Sequence, residues 1–435
     1  MLVSWRIDRI LLALVAVAAL GGVAIDSFAQ QQDPKRPPAQ KPAKPAQKPQ
    51  AGAKPSAKAA KAEAAARLEA LPPSQIGIPT LAQHAFLIDP QTSTVLLFKD
   101  ADKPMAPSSM AKMMTVYLLF EDLTSGKLKM DTRFKVSERA YAITRGTHSS
   151  TMFLEMTDNP TVGELLQGII VDSGNDASVA VAEGMAGSEE AFADRMNKKA
   201  KELGLSGSVF KNSSGWPAEG QMVTARDLAL LAWHTINDFP ELYKHYAQQT
   251  FTFNGKTQPN RNLELKRLPG VDGLKTGHTE EGGFGQTTSA VRNGRRLILV
   301  LNGLGSMGDR ASETTRLLEW GFSSFTNTTI FKPGDTVAEA PVWLGAQDTV
   351  PLVVSRSIQV TAPAGQTPNP RVVAKFDGPV PAPIAKGTKV GTASVSLPDG
   401  RTMDYPLEAG ADVTRKGLVG RVFTLARHYL LGWLS

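Results

Sequence analysis

Ser109 and Lys112 stand three residues apart in PSSMAKMMT, and Leu118, Leu119 and Phe120 follow at helical spacing. Residues three apart on a helix share one face. A serine beside a lysine is a nucleophile beside its base, provided that the lysine gives up its proton. Free lysine holds that proton up to about pH 10.4. Burial disfavours the ammonium form, and a second nearby cation would lower its pKa further. The start of a helix favours negative charge developing on the serine. A neutral lysine next to a hydroxyl is then a competent base. Spacing alone does not mark the site, because Ser208 and Lys211 repeat it in LSGSVFKNSSG. That second pair lies in a polar, glycine-rich loop where nothing fixes the lysine against the serine.

Two further triplets are unique in the chain. Ser173-Gly174-Asn175 stands in IIVDSGNDAS, and Lys275-Thr276-Gly277 stands in VDGLKTGHT. By itself the first is an ordinary turn between helices. The second is not a phosphate-binding loop, since Leu274 precedes the lysine where glycine is required. No G-x-S-x-G is present, and no histidine neighbours a candidate serine, which leaves a Ser-His-Asp hydrolase without support. His84, His148, His234, His245, His278 and His428 show no metal-ligand spacing. Met105, Met110, Met113 and Met114 read as core filler.

The elements that must position these triplets begin near residue 80. AFLID and TVLLFKD flank PQTS as a hairpin. Helical periodicity covers residues 110–123, 162–170, 177–184, 189–203, 225–237 and 310–322. Strands are expected over 285–291 and 296–304, with Asn293-Gly294 as the turn between them. Helices around an antiparallel sheet make an α+β domain, residues 76–330. Residues 331–412 lose helical periodicity, gain prolines and show alternating runs such as SIQVTA, RVVAKF and TASVSL, which describes a small all-β domain.

The 435 residues are 42% hydrophobic and 20% charged, as in globular proteins, and contain no cysteine. That excludes disulfide and thiolate chemistry. The net charge of +7 is local, because residues 34–61 carry eight basic side chains and no acid, leaving −1 elsewhere. A nucleic-acid partner for the core therefore loses its support. Arg6 and Arg9 precede 16 uncharged residues, 10–25, and Ser27-Phe28-Ala29 supplies small residues for cleavage. This describes a secretory signal, residues 1–29, followed by a solvated Pro/Ala/Lys-rich linker, 30–75, with a short helix over 58–71. Residues 413–435 place Leu418, Val422, Leu425 and Tyr429 on one stripe and Arg421, Arg427 and His428 on the other side. Such a helix suits a membrane surface, and its charges forbid spanning.

Taken in order, S-x-x-K, S-x-N and K-T-G resemble the motifs of penicillin-binding proteins and serine β-lactamases. The flanking strings PSSMAKMMT, SGNDAS, FTFNG, NRN, VDGLKTGHT and LLEWGF resemble the low-molecular-weight D-alanyl-D-alanine carboxypeptidases, from about residue 80 to the C-terminus. The resemblance implies that Ser109 attacks the carbonyl between two D-alanines and Lys112 takes its proton. It implies that Ser173 relays a proton to the leaving group, Asn175 holds the substrate amide, and Lys275 supplies positive charge. Thr276, on a strand edge, would receive the terminal carboxylate, and Gly277 completes that motif. Backbone N–H groups of Ser109 and His278 would form the oxyanion hole. Arg310 of GDRASE, and less directly Arg261 of NRN, match arginines near that carboxylate. Peptidoglycan stem peptides are the implied substrate, β-lactams the inhibitors, and no cofactor or metal is expected. The implied location is the periplasmic face of the inner membrane. Two alternatives share the motifs. A class A β-lactamase needs an added carboxylate after S-x-N, and residues 203–218 contain no acid. A non-catalytic wall-binding scaffold would have no need of Ser109, Lys112, Ser173 and Lys275.

Overall fold

The computed structural model describes residues 77–397 and 401–422. The expected signal, the linker with its short helix, and most of the C-terminal amphipathic helix lie outside them. In chain order the first part contains β1 (His84–Asp89), β2 (Thr94–Lys99), a 3-10 turn (Ser108–Ala111) and α1 (Lys112–Thr124). It continues with α2 (Glu138–Ala142), α3 (Val162–Ile170), α4 (Asn175–Ala186), α5 (Glu189–Glu202), α6 (Ala225–Asp238) and α7 (Pro240–Tyr243). Then come β3 (Thr250–Phe253), β4 (Lys256–Pro259), α8 (Glu264–Arg267), β5 (Val271–Thr279), β6 (Gly283–Arg292), β7 (Arg295–Leu304) and α9 (Met307–Ser323).

The five-stranded sheet has the order β2-β1-β7-β6-β5, antiparallel throughout. Its centre is RRLILVLNGL, whose alternate side chains leave opposite faces. Leu297, Leu299 and Leu301 pack with Leu317 and Leu318 of α9, whereas Ile298 and Val300 face the helical cluster of α1 to α6. Central in that cluster is α1, buried on all sides from Lys112 to Phe120, as an apolar helix with no solvent face must be. The four methionines named above are all buried in this core.

Side-chain caps set the helix starts. Thr161 and Glu164 form a reciprocal capping box on α3, and Ser188, Thr224 and Ser306 cap α5, α6 and α9. Asn293-Gly294 makes the expected turn with positive φ at both residues, and Asn254-Gly255 makes a second one between β3 and β4 that periodicity did not announce.

The all-β part contains β8 (Phe325–Phe331), β9 (Thr336–Trp343), β10 (Thr349–Val354), β11 (Ile358–Pro363), β12 (Arg371–Phe376), β13 (Val380–Pro381), β14 (Lys389–Ser396) and β15 (Thr402–Ala409). Six strands form one sheet in the order β12-β14-β15-β10-β9-β13, while β8 pairs with β11. Strand β8 straddles the boundary expected at 330–331, so the β part begins at Phe325. Buried Asp89 ties the two parts together, accepting hydrogen bonds from Arg295 Nε (2.7 Å) and Asn327 Nδ2 (2.9 Å). At the other end, Val413 and Arg415 bridge to Ile384 and Gly345, and the terminal helix starts only at Leu418. Its described turn exposes Leu418, Val419 and Val422. Among the described residues no helix is long and apolar enough to cross a membrane.

Candidate active site

Ser109 sits in the 3-10 turn that leads into α1, and Lys112 is the first residue of that helix. Lys112 is completely buried, and its Nζ lies 3.0 Å from Ser109 Oγ, 2.7 Å from Asn175 Oδ1 and 2.6 Å from the Ser214 carbonyl. Burial lowers its pKa to about 7, against the carboxylates of Asp176 and Glu189, which pull it back up. Burial, more than a second cation, is what frees this lysine. The cation effect expected there is felt at Lys275, whose ammonium is disfavoured by its own burial and then by Lys112, Arg261 and Arg310.

The S-x-N triplet is both a turn and part of the site. It joins α3 to α4, with Ser173 at φ +59° and Asn175 as the first residue of α4. Ser173 Oγ accepts from Lys275 Nζ at 2.9 Å, and Asn175 N–H donates to the Ser150 carbonyl. Asp176 fixes the turn against residues 151–154. Its carboxylate accepts from Thr151 Oγ1 and from the N–H groups of Met152 and Leu154.

Strand β5 brings Lys275, Thr276 and Gly277 past Ser109 as the edge strand of the sheet. A Cβ on Gly277 would stand 2.9 Å from Ser108 Cβ and 3.2 Å from Ser109 N, so only glycine lets the strand come this close. Across the turn, Gly215 (φ +79°) packs directly on the Ser108 carbonyl. Thr276 is buried except for its face on the cleft, and exposed His278 stacks on Phe284 with ring centroids 3.9 Å apart.

These residues line one cleft of about 940 Å³, into which Ser109, Ser173, Asn175, Thr276, Gly277, His278 and Arg310 all reach. Arg310 and Arg261 stand on its wall. Arg310 is 6% exposed, and its Nη2 makes only a long 3.4 Å contact to the Arg261 carbonyl. The second S-x-x-K pair is elsewhere: Ser208 Oγ donates to Asp227 Oδ2 at 2.7 Å, bracing the start of α6. Sequence reasoning missed the Ser214 carbonyl, Asp176 and Glu189. A backbone acceptor leaves no residue-type signal, and the two acids look like ordinary helix-start residues.

Comparison with known proteins agrees with this arrangement. Residues 73–305 match the family model described as D-alanyl-D-alanine carboxypeptidase, and residues 325–415 match the penicillin-binding protein 5 C-terminal domain. The D-alanyl-D-alanine carboxypeptidase DacC of Escherichia coli K12 is 38% identical over 361 residues, 81% of this chain and 90% of that protein. Penicillin-binding protein 5 from Haemophilus influenzae superposes with a TM-score of 0.70 at 34% identity, covering 79% of this chain and all of that one. Penicillin-binding protein D2 from Listeria monocytogenes, solved in its cefotaxime-bound form, covers 57% of this chain and all of that one, with 28% identity and a TM-score of 0.52. This chain belongs to the D-alanyl-D-alanine carboxypeptidase family of serine peptidases.

Proposed function

We propose that the chain removes the terminal D-alanine from peptidoglycan pentapeptide stems through an acyl-serine intermediate at Ser109. The observation that carries this is the fully buried Lys112, 3.0 Å from Ser109 Oγ with a pKa near neutrality. When Lys112 is neutral, its lone pair accepts the Ser109 proton as Oγ attacks the penultimate carbonyl. Negative charge then builds on the carbonyl oxygen, and the N–H groups of Ser109 and His278 receive it. Asn175 holds the substrate amide. The proton passes through Ser173 to the departing amine, D-alanine leaves, and water releases the shortened stem.

The terminal carboxylate docks at the end of the cleft carrying Thr276, Lys275 and Arg310. In the free protein the Lys275 ammonium is disfavoured, so the positive charge expected of it depends on an arriving anion to offset its neighbours. A β-lactam with its own carboxylate enters the same way and acylates Ser109. The exposed Leu418, Val419 and Val422, beside Arg421, support attachment of the chain to a membrane surface through its C-terminal helix, on the periplasmic side after export.

Intact-mass analysis with benzylpenicillin, alongside D-alanine release from a pentapeptide ending in D-Ala-D-Ala, tests this reading. One adduct that persists for minutes and repeated peptide turnover are expected. Adduct decay within a second, with no D-alanine released, would make the protein a β-lactamase instead.

A further inference from the structure

Glu264 opens α8 two residues after Asn262 of Asn260-Arg261-Asn262, and it is 1% exposed. Its Oε2 lies 2.9 Å from Gln286 Nε2, and Asn262 Oδ1 (2.9 Å) and Thr288 Oγ1 (2.6 Å) lie within reach of the same nitrogen, so three acceptors share its two hydrogens. This leaves Glu264 Oε1, Asn262 Nδ2 and Gln286 Oε1 buried without a protein partner. On the adjoining helix α9, Arg310 Nε and Thr314 Oγ1 are buried in the same condition. Isolated buried polar atoms are scarce because each is costly. Here five of them fall on neighbouring elements, the entry to α8, β6 and α9, and one of the residues, Arg310, lines the cleft.

Their chemistry is complementary. Two are donors, two are acceptors, and a hydroxyl can be either, which suits bridging by buried water. Arg310 is the charged member that lines the cleft. Burial and the neighbouring Arg261 weaken its hold on the proton, and the Glu264 carboxylate counters them. Among the described residues no direct ion pair joins Arg310 to a carboxylate. Its guanidinium lies 6.0 Å over the Phe284 ring.

We infer that Glu264 is the positioning residue of Arg310, and so sets how strongly the cleft selects a substrate with a free terminal carboxylate. The inference rests on the reading above of Arg310 as the partner of that carboxylate. A buried guanidinium with no fixed counter-charge is drawn towards water or towards rim carboxylates such as Glu280 and Glu281. With Glu264 behind it, held in place by Gln286, the guanidinium is already oriented when the substrate's anion arrives on the cleft side. Less ordering then remains to be done on binding.

The test compares two acyl donors with the same acyl group. One is an N-acylated peptide ending in D-Ala-D-Ala; the other is the matching N-acyl-D-alanine methyl thioester, which has no terminal carboxylate. Glu264→Gln should raise KM for the peptide about tenfold while kcat stays within about twofold, so the ratio of peptide to thioester efficiency falls about tenfold. In an Arg310→Ala background the same substitution should change that ratio by less than about twofold, because its effect runs through Arg310. An unchanged circular dichroism spectrum and unchanged thioester turnover, neither of which involves a ligand carboxylate, check that each variant is folded. If Glu264→Gln does not fold, Gln286→Met, which releases Glu264, should lower the ratio in the same direction. Equal losses on both donors, or an undiminished effect of Glu264→Gln without Arg310, would overturn the inference. Should Arg310→Ala itself leave the ratio unchanged, the carboxylate reading of Arg310 fails and the inference falls with it.

Discussion

Acylation through a neutral Lys112 fixes how the enzyme must respond to pH. With the pKa of Lys112 lowered to about 7, half of the free enzyme carries the base form near neutrality. Below that point the active fraction falls about tenfold per pH unit, so acylation at pH 5 should be roughly a hundredfold slower than its plateau above pH 8. An ordinary lysine would instead leave about one molecule in three thousand competent at pH 7. Burial is the chief cause of this preference for the neutral form. The Lys275 ammonium is also disfavoured, by burial and then by Lys112, Arg261 and Arg310, but the Glu189 carboxylate acts on Lys112 and so tells the two lysines apart. The assay is the second-order rate constant for benzylpenicillin acylation between pH 5 and 9, followed by adduct mass, with a ligand whose carboxylate stays ionised throughout. Glu189→Gln sharpens it. Glu189 raises the Lys112 pKa and also accepts from Ser213 N–H and Oγ, and glutamine keeps an oxygen for those contacts. The variant's acid limb should move to lower pH, making it the faster enzyme at pH 6 relative to its own plateau. A flat profile from pH 5 to 8, or a limb that moves upward in the variant, would refute base catalysis by Lys112.

Ser109→Ala should abolish both labelling and D-alanine release, whereas Ser208→Ala should label fully and lose only about 1 kcal/mol of stability with its bond to Asp227; chemical denaturation and intact mass separate the two. Asp89→Ala strips the partner from Arg295 inside the joint between the two parts, and should cost about 3–5 kcal/mol by denaturant unfolding. Removing residues 418–435 should release the mature protein from membranes in sedimentation and leave peptide hydrolysis nearly unchanged. A cut at Thr414 is less clean, because Arg415 Nε donates to the Ala382 carbonyl and Lys416 N–H to that of Leu344, so it would disturb the β part as well.

Much of this was legible in the residues. The periodicity of LLQGII, of ALLAWHTI and of RLILVLNGL follows from which side chains face the core, and caps such as Thr161 and Ser188 mark where helices begin. The site triplets were legible by type and order. What escaped has physical reasons. Strand β5 carries VDGLKTGHT, which does not alternate, because its buried Lys275 and Thr276 serve the cleft in place of the core. Ser108 and Ser109 form a 3-10 turn ahead of α1, packed closely by Gly215 and Gly277, distant residues whose approach no local propensity encodes. The β part starts at Phe325 because β8 pairs with a strand 27 residues after its own end; long-range pairing leaves little trace in a short segment.

The edge position of β5 also bears on self-association. An unpaired strand edge offers its N–H and C=O groups to any extended chain, and natural sheets blunt such edges with proline, bulges or inward-pointing charge. Strand β5 has two of these, a register shift between Val271 and Gly273 and the buried charge-bearing Lys275, but neither covers Thr276 and Gly277. Protection has to come from the opposite wall, where the Ser173 turn stands one hydrogen bond away through Lys275. The wall opposite therefore serves against self-assembly as well as for substrate fit. Loosening of the turn that Asp176 holds to residues 151–154 would expose a sticky edge in the same event that disables the enzyme.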